Sequence, residues 1–322
     1  MNWGKITIIQ TKIRMPAMKC KILIPLIILV IIVNSIYAGE PDLPFHIPDD
    51  KIVPLRTLID KDLQKRLETV LKKNKTWAKL LGKKKMAVGL VDISDPYHVK
   101  FAQVNGDEMM YAASLPKLAV LLAAMQSLED GSVRETDKVL QDMREMISQS
   151  DNQAATRLID QLGFEKIEQV LTDPRYELYD PDHGGGLWVG KRYAKKGKRF
   201  PDPLMGLSHG ASVTQVCRFY YLLAMGKLVN PERSAQMLAI MADPELHHKF
   251  VNTLDHLAPE AKLYRKSGTW RNWHSDSILV WGPVWRRYIL VALLEDKNGE
   301  KILRELVPGV EDILKKSPEI KK

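Results

Sequence analysis

The spacing of apolar residues predicts a definite order of elements along the first part of the chain. After a proline-rich, extended lead-in at residues 39–59, apolar positions recur at helical spacing from a capping Asp60 to Leu80. Residues 86–93 and 99–104 have strand composition, and the short link between them favours an antiparallel pair. Residues 118–128 are apolar nearly all round, which is typical of a helix in the middle of a protein.

The later part of the chain changes from helical to strand patterns. Residues 135–220 are mostly helix and loop, and strand patterns return at 262–271, 275–281 and 288–294. The last predicted element is a helix at about 300–315, which Pro308 must kink or split.

Strands near both chain ends around a helical middle predict an α+β fold. We expect one antiparallel sheet built from N- and C-terminal segments, flanked by helices, with an inserted all-helical lobe. The domain spans residues 60–316. Its sheet part lies at about 60–110 and 255–316, and its helical lobe at about 111–254.

The first 38 residues resemble an export signal. An apolar run of 12 residues, 22–33, follows Lys19 and Lys21 and precedes a small residue, Ala38, where cleavage could occur. The run is short for a membrane span of roughly 20 residues, and Met18 would make a signal of ordinary length. The prediction is a periplasmic or extracellular protein. An uncleaved signal, tethering the domain to a membrane through residues 22–38, is the alternative.

The formal net charge of +9 is unevenly placed. Five cations precede residue 39 with no acid among them, which leaves +4 for the rest of the chain. A mildly basic body gives only weak support for an anionic partner. The aromatic residues are not interleaved with the basic ones, so no nucleic-acid partner is predicted.

The two cysteines, Cys20 and Cys217, leave no disulfide within the mature chain. Cys217 lies in an apolar stretch and is predicted to be a buried, inert thiol. Cys20 precedes the apolar run, which argues against a lipoprotein anchor. There is no thiol pair, and the adjacent His247 and His248 have the wrong spacing for two ligands on one helix face. We therefore predict no metal and no cofactor.

Ser-Leu-Pro-Lys at residues 114–117 combines a nucleophile with an amine three positions later. Free N–H groups at a helix start favour developing negative charge, and Pro116 suits a first helical turn. Lys117 shares a helical face with Ser114. Because it leads into an apolar helix, burial would lower its pKa and let the neutral amine accept the serine proton. The alternative is an ordinary helix start with a solvated lysine.

Two further strings complete a set. Ser-Asp-Asn at 150–152 precedes an amphipathic stretch, so Asp151 can cap a helix while Ser150 and Asn152 face the nucleophile. Lys-Ser-Gly-Thr at 266–269 lies on a predicted strand; the lysine offers positive charge, and the glycine permits close approach of a substrate. Each string alone is weak evidence. In this order they supply what acyl transfer through a covalent serine intermediate requires.

The ordered strings resemble the motif set of penicillin-binding proteins and class A β-lactamases, over roughly residues 60–315. The resemblance implies that Ser114 is the acylated nucleophile and Lys117 its base or proton relay. It further implies that Ser150 passes a proton to the leaving nitrogen and that Asn152 binds the substrate amide.

The same resemblance implies roles for the third string. Lys266 and Ser267 would hold the substrate carboxylate. The backbone N–H groups of Ser114 and Thr269, the latter next to Gly268, would form an oxyanion hole.

The chain departs from the class A pattern in two places. Ser150 follows Ser114 by only 36 residues, which suggests a trimmed loop and a more open cleft. No Glu-x-x-Leu-Asn string, which supplies the deacylating glutamate in that class, occurs between residues 163 and 213. Asp180, Asp182 and His183 are candidate replacements by position, although each is also an ordinary turn residue. His209 is a further candidate, with a hydrogen-bonded loop histidine as its alternative. A cluster of cations predicts a solvated, flexible loop, and contact with an anionic envelope polymer is the alternative. The cluster comprises Lys191, Arg192, Lys195, Lys196, Lys198 and Arg199.

These observations leave three hypotheses for function. The first is an exported serine hydrolase that acts on small-molecule β-lactams through an acyl-Ser114 intermediate. The second is a penicillin-binding D,D-peptidase or transpeptidase that acts on peptidoglycan stem peptides and deacylates slowly. The third is a non-catalytic envelope binding or sensing domain. The sequence leaves the oligomeric state open.

Overall fold

The structure of the protein is a computed structural model that describes Met1 and residues 43–315. The predictions for the export signal, the membrane tether, the Met18 start, Cys20 and residues 39–42 of the lead-in lie outside the described residues. Within the described part, none of the helices has the length and apolar character needed to cross a membrane.

The described residues form ten α-helices and ten β-strands. The helices are α1 (Lys61–Lys73), α2 (Lys75–Gly82), α3 (Lys117–Glu129), α4 (Asp137–Ser148), α5 (Asn152–Leu162), α6 (Phe164–Leu171), α7 (Val213–Ala224), α8 (Pro231–Met241), α9 (Phe250–Leu257) and α10 (Gly299–Lys315). The strands are β1 (Met86–Asp92), β2 (Lys100–Val104), β3 (Met110–Tyr111), β4 (Tyr179–Asp180), β5 (Gly185–Gly186), β6 (Trp188–Val189), β7 (His209–Ala211), β8 (Lys262–Trp270), β9 (Trp273–Trp281) and β10 (Arg287–Glu295).

The main sheet has five strands in the order β2-β1-β10-β9-β8, and every neighbouring pair is antiparallel. Leu90 on β1 lies opposite Leu290 on β10, so the N-terminal pair joins directly to the C-terminal strands. This arrangement confirms the predicted α+β fold, with one sheet assembled from both chain ends. β8, which carries the Lys-Ser-Gly-Thr string, forms one edge of the sheet.

Both faces of the sheet are covered, because its strands bury apolar side chains in both directions. On one face Leu90 and Leu290 pack into a core with Leu63 of α1, Leu254 of α9 and Leu306 of α10. On the other face the sheet shares a second core with α3, α7 and other parts of the inserted segment. The sheet therefore forms the middle layer, and the three motifs meet on its lobe side.

The predicted helix from Asp60 to Leu80 is divided at Asn74. The Asp60 side chain accepts a hydrogen bond from the Leu63 amide at 2.7 Å and caps α1. The Asn74 side chain accepts from the amides of Thr76 and Trp77 and so caps α2. A second N-cap inside an amphipathic stretch ends one helix and begins another.

Pro308 does not split the closing helix, since α10 runs through it. A proline inside a helix leaves the carbonyl oxygen four residues earlier without its intrahelical donor. That oxygen belongs to Arg304, and it accepts a hydrogen bond from the Thr253 hydroxyl at 3.0 Å. A contact from α9 thus compensates the missing bond.

The inserted segment is mostly helical but also holds small sheets. β3, β7 and β6 form one, and β4 pairs with β5. These strands have two or three residues each. Strands this short carry no readable alternation, so the sequence pattern did not predict them.

Candidate active site

Ser114 lies in a tight turn between β3 and α3. The residue before it, Ala113, has a φ of 52°, in the left-handed region that costs an alanine conformational energy. The turn continues into the helix through a bond from the Lys117 amide to the Ser114 carbonyl at 3.3 Å. Ser114 lines a cavity of about 860 Å³, as do Asn152 and Thr269.

Lys117 is the first residue of α3 and is fully buried. Its ammonium donates to the Ser150 carbonyl at 2.7 Å and to Asn152 Oδ1 at 2.8 Å, with the Asp151 carbonyl at 3.2 Å. Burial lowers the pKa of Lys117 to about 7, and the negative charge of Asp151 opposes that shift. A substantial fraction of the amine is therefore neutral at physiological pH.

Ser150 stands between two amines. Its hydroxyl oxygen is 3.5 Å from Lys117 Nζ and accepts from Lys266 Nζ at 2.9 Å. The backbone of Ser150 has a φ of 59°, again in the left-handed region. Asp151 then caps α5 by accepting from the Ala154 amide at 2.6 Å, as its position in the sequence predicted.

Lys266 on β8 is 1% exposed and also donates to the Ser267 carbonyl at 2.8 Å. Burial, followed by the charges of Lys117, Arg265 and Lys249, lowers the pKa of Lys266 well below its ordinary value. Two buried ammonium groups around one hydroxyl repel each other, so losing a proton from either is favourable. This geometry suits proton exchange through the Ser150 hydroxyl.

Gly268 brings the edge strand into backbone contact with the turn that holds Ser114. A methyl group at Gly268 would lie 2.3 Å from the Ala112 carbonyl oxygen and 2.6 Å from the Ser114 amide nitrogen. The Ser275 hydroxyl donates to the same Ala112 oxygen at 2.8 Å and fastens the contact. Only glycine permits this approach.

The structure therefore brings the three strings together at one place. Ser267 is buried on β8 next to Lys266, and Thr269 lines the cavity. These contacts describe where the predicted residues lie; their catalytic roles remain predictions.

Three buried residues that the sequence did not single out support β8. Lys249 is fully buried and donates to the carbonyls of Gly268 and Ser275 at 2.6 and 2.9 Å. Arg265 and Asp276 form a buried ion pair across β8 and β9, with Nε and Oδ1 2.7 Å apart. No local sequence signal marks these partners, because each pairing joins separate elements.

The segment from 191 to 199, called the basic loop below, reaches into the cavity. Tyr193 places its ring over Lys117, with Nζ 4.5 Å from the ring centroid. Burial raises the pKa of the Tyr193 hydroxyl, which stays protonated and donates to the Ala113 carbonyl at 3.3 Å. The sequence predicted a solvated, flexible loop, or contact with an anionic envelope polymer, and gave Tyr193 no role. The sequence signal that could have identified Tyr193 is its position as an aromatic residue within a run of cations.

His209 on β7 also lines the cavity. Its Nε2 donates to the Lys191 carbonyl at 3.0 Å, so Nδ1 accepts from the Ser208 hydroxyl at 3.1 Å. Burial lowers the pKa of His209 to about 4, and the imidazole is neutral. Both ring nitrogens are used by protein groups, as expected of a structural histidine.

The other candidate bases lie elsewhere. Asp180 accepts from the Asp182 amide and pairs with His183, with Oδ2 and Nδ1 2.6 Å apart. The following Gly184 packs against the Asp107 carbonyl. None of the three candidates is among the described residues that line the cavity. The geometry of the described residues therefore gives no support to a deacylating role of these three residues beside Ser114.

Cys217 is a buried free thiol, and burial raises its pKa. This agrees with the predicted inert role. Within residues 43–315, no group of three or more His, Cys, Asp or Glu side chains is placed to hold a metal ion.

Comparisons with known proteins identify similar chains. The model of the beta-lactamase enzyme family matches residues 62–144 and 138–310. A beta-lactamase from Sphaerobacter thermophilus is 16% identical, with 75% of this chain and 97% of that chain covered and a TM-score of 0.59. PBP-A is 18% identical, with coverage of 86% and 100% and a TM-score of 0.59.

A mutant of PBP-A, described as an acyl-enzyme complex with penicillin-G, is also 18% identical. It covers 83% of this chain and 100% of its own, with a TM-score of 0.61. At these identities the structural likeness shows a shared fold. No curated protein matches the chain.

Proposed function

The chain belongs to the beta-lactamase enzyme family, and we propose that it is a serine hydrolase that opens β-lactam rings through an acyl-Ser114 intermediate. The observation that carries this proposal is the buried network in which Lys117 and Lys266 both contact the Ser150 hydroxyl. This network provides a base of suitable pKa and a route for its proton.

In the proposed acylation, Ser114 Oγ attacks the lactam carbonyl carbon and its proton passes to the neutral amine of Lys117. The new ester bond forms as the ring C–N bond breaks. Ser150 then delivers a proton to the leaving nitrogen and is reprotonated from a lysine. Ser114 is not among the hydrogen-bond acceptors of Lys117. When substrate binds, Lys117 must therefore exchange one of its present contacts for a contact with Ser114 Oγ.

Binding groups surround this step. We expect Lys266 and Ser267 to hold the ring carboxylate, and Asn152 to bind the acyl amide. The amides of Ser114 and Thr269 would stabilise the oxyanion. Loss of one such donor typically costs about 3 kcal/mol of transition-state stabilisation.

Mass spectrometry after brief exposure to benzylpenicillin tests the proposal. We expect the protein mass to increase by one penicillin, on the peptide that carries Ser114, and Ser114→Ala to remain unlabelled. Turnover of a chromogenic cephalosporin that is abolished in the same variant would show that hydrolysis follows acylation. No labelling by any acylating probe would instead favour the non-catalytic binding domain.

A penicillin-binding peptidase or transpeptidase is the second candidate, and one observation favours it. Among the described residues that line the cavity there is no aspartate or glutamate. Without a carboxylate to activate water, the acyl group would leave slowly. This candidate predicts an adduct that persists for hours and release of D-alanine from a stem-peptide mimic; rapid loss of the label would exclude it.

Export remains a proposal that depends on the sequence of residues 1–38. Cell fractionation and N-terminal sequencing of the protein from its own cells would test it. Cleavage after about residue 38 supports the signal peptide, and an intact N-terminus in the membrane fraction supports the tether.

A further inference from the structure

One wall of the cavity beside Ser114 is cationic, and the proposed chemistry does not use it. Lys191, Arg192 and Lys195 of the basic loop line this wall. We propose that it binds a second anionic group of the substrate. The preferred substrates then carry one carboxylate on the ring side and another on the acyl arm. The inference rests on the proposed function and specifies its substrate class.

The wall has an excess of positive charge. Arg192 pairs with Asp160, whereas the ammonium of Lys191 donates to a neutral acceptor, the Lys195 carbonyl, at 3.3 Å. No carboxylate is among the described residues that line the cavity. An anion entering the cavity therefore meets cations without having to displace an acid from the lining.

The base of the loop is anchored, so the backbone of Lys191 has a defined location, and the Lys191 ammonium contacts the Lys195 carbonyl. Lys191 and Arg199 form a bridge between the two ends. The Phe200 amide donates to the Gly190 carbonyl at 2.6 Å, and Trp188 Nε1 donates to the Phe200 carbonyl at 2.8 Å. A preorganised site binds a charged group better than a free loop does, because less ordering is required on binding.

Aromatic residues of the cavity lining suit the body of such an acyl arm. Trp270 at the end of β8 is 55% exposed and lines the cavity together with Trp273 and Tyr111. Indole and phenol rings bury apolar or ring-shaped groups. The combined chemistry is that of an arm with an apolar or aromatic body and a terminal carboxylate.

The ring carboxylate does not need this wall. In the proposed binding mode it is held by Lys266 and Ser267 on β8, a different element from the basic loop. A second carboxylate is thus the group that the charges of Lys191 and Lys195 can select. Both a carboxylated β-lactam and a stem peptide with a free side-chain carboxylate share this chemistry.

The test compares two penicillins that differ by one carboxylate. Benzylpenicillin has a neutral acyl arm, and carbenicillin is the same molecule with a carboxylate on that arm. The second-order rate constant of Ser114 acylation is measured for each compound. The rate constant for carbenicillin divided by that for benzylpenicillin gives the ratio that is compared between variants. A stem peptide with and without its side-chain carboxylate, used as competitor, distinguishes the two substrate sources.

Two double variants distinguish the effect of cations that line the cavity from the effect of the overall charge of the loop. Lys191→Gln with Lys195→Gln removes two lining cations, and Gln at 191 retains an N–H donor for the loop. Lys196→Gln with Lys198→Gln removes the same charge from positions on this loop that do not line the cavity. The melting temperatures of both double variants are compared with that of the parent. A third variant, Lys191→Arg with Lys195→Arg, keeps the positive charge at both positions.

We expect the ratio to fall about tenfold in the first double variant, equivalent to about 1.4 kcal/mol, and to change less than about twofold in the second. The arginine variant should recover it. An unchanged ratio in the first variant, or an equal fall in both, would overturn the subsite while leaving acylation intact. Absence of acylation by both compounds would overturn the proposed function itself, and the subsite with it.

Discussion

The ammonium group of Lys249 donates a hydrogen bond to the carbonyl oxygen of Gly268 at 2.6 Å. This carbonyl belongs to the same peptide group as the Thr269 amide, a predicted oxyanion donor. Burial lowers the pKa of Lys249 to about 8, with the charge of Asp276 opposing the shift. A buried cation therefore fixes the Gly268–Thr269 peptide beside the cavity that Ser114 and Thr269 line, and polarises its N–H group.

Replacing Lys249 with Met should destabilise the fold and slow acylation. The change leaves the carbonyls of Gly268 and Ser275 buried without this donor, at a cost of about 2–4 kcal/mol in the free energy of unfolding. Urea denaturation and the benzylpenicillin acylation rate measure both effects. Lys262→Met, at the exposed start of β8, is the control. Equal denaturation curves for the two variants would contradict the role given to Lys249.

Acylation should speed up as the pH rises through about 7. Only the neutral amine of Lys117 can accept the serine proton, and its pKa is about 7. The neutral fraction rises from about one tenth at pH 6 to about nine tenths at pH 8. Stopped-flow acylation between pH 5.5 and 8.5 measures the profile. Lys117→Arg, charged throughout, should be slow and flat, and a parent rate that falls with rising pH would rule out Lys117 as the base.

Two substitutions of Ser150 distinguish the effect of its hydroxyl on acylation from the effect of its backbone conformation on stability. Ser150→Ala and Ser150→Gly both remove the hydroxyl between the lysines, so each should slow acylation by about 10²–10⁴-fold. The residue has a φ of 59°, which glycine adopts without strain. Ser150→Gly should therefore be more stable than Ser150→Ala by about 1 kcal/mol. Thermal denaturation measures this difference; an alanine variant as stable as the glycine variant would argue against strain.

A methyl group at Gly268 should disturb the site through backbone contact. It would meet the Ala112 oxygen and the Ser114 nitrogen within 2.6 Å, so Gly268→Ala must move β8 away from the turn that holds Ser114. We expect acylation to fall at least about 100-fold, comparable to losing an oxyanion donor. Gly82→Ala, where a methyl group meets nothing within 4 Å, is the matched control. Normal acylation by the Gly268 variant would show that the contact tolerates relaxation.

Local patterns predicted much of the fold, because each signal lies within a few residues. The apolar run at 118–128 became the buried α3, and Asp60 and Asp151 cap helices as expected. The division at Asn74 was not predicted, and at Pro308 the sequence left a kink or a split open, of which the continuous helix excludes the split. Each depends on a contact, and for Pro308 the compensating donor comes from another helix.

Loop positions were the least predictable part of the site. Asp180 and His183 satisfied a positional argument, but they pair with each other away from the cavity lining. Tyr193 had no assigned role, yet its ring covers Lys117. Where a loop points depends on its anchors, here the bonds between Gly190, Phe200 and Trp188, which residue spacing alone does not reveal.

The sequence by itself determined the order of the main elements, the family resemblance and the candidate nucleophile, Ser114, since these depend on short-range chemistry. Only the tertiary structure decided what surrounds Ser114. Burial by many elements sets the Lys117 pKa near 7, and close backbone packing at Gly268 brings the edge strand to Ser114. The same packing leaves a cavity wall with cations and no carboxylate, because charges distant along the chain become neighbours only when it folds.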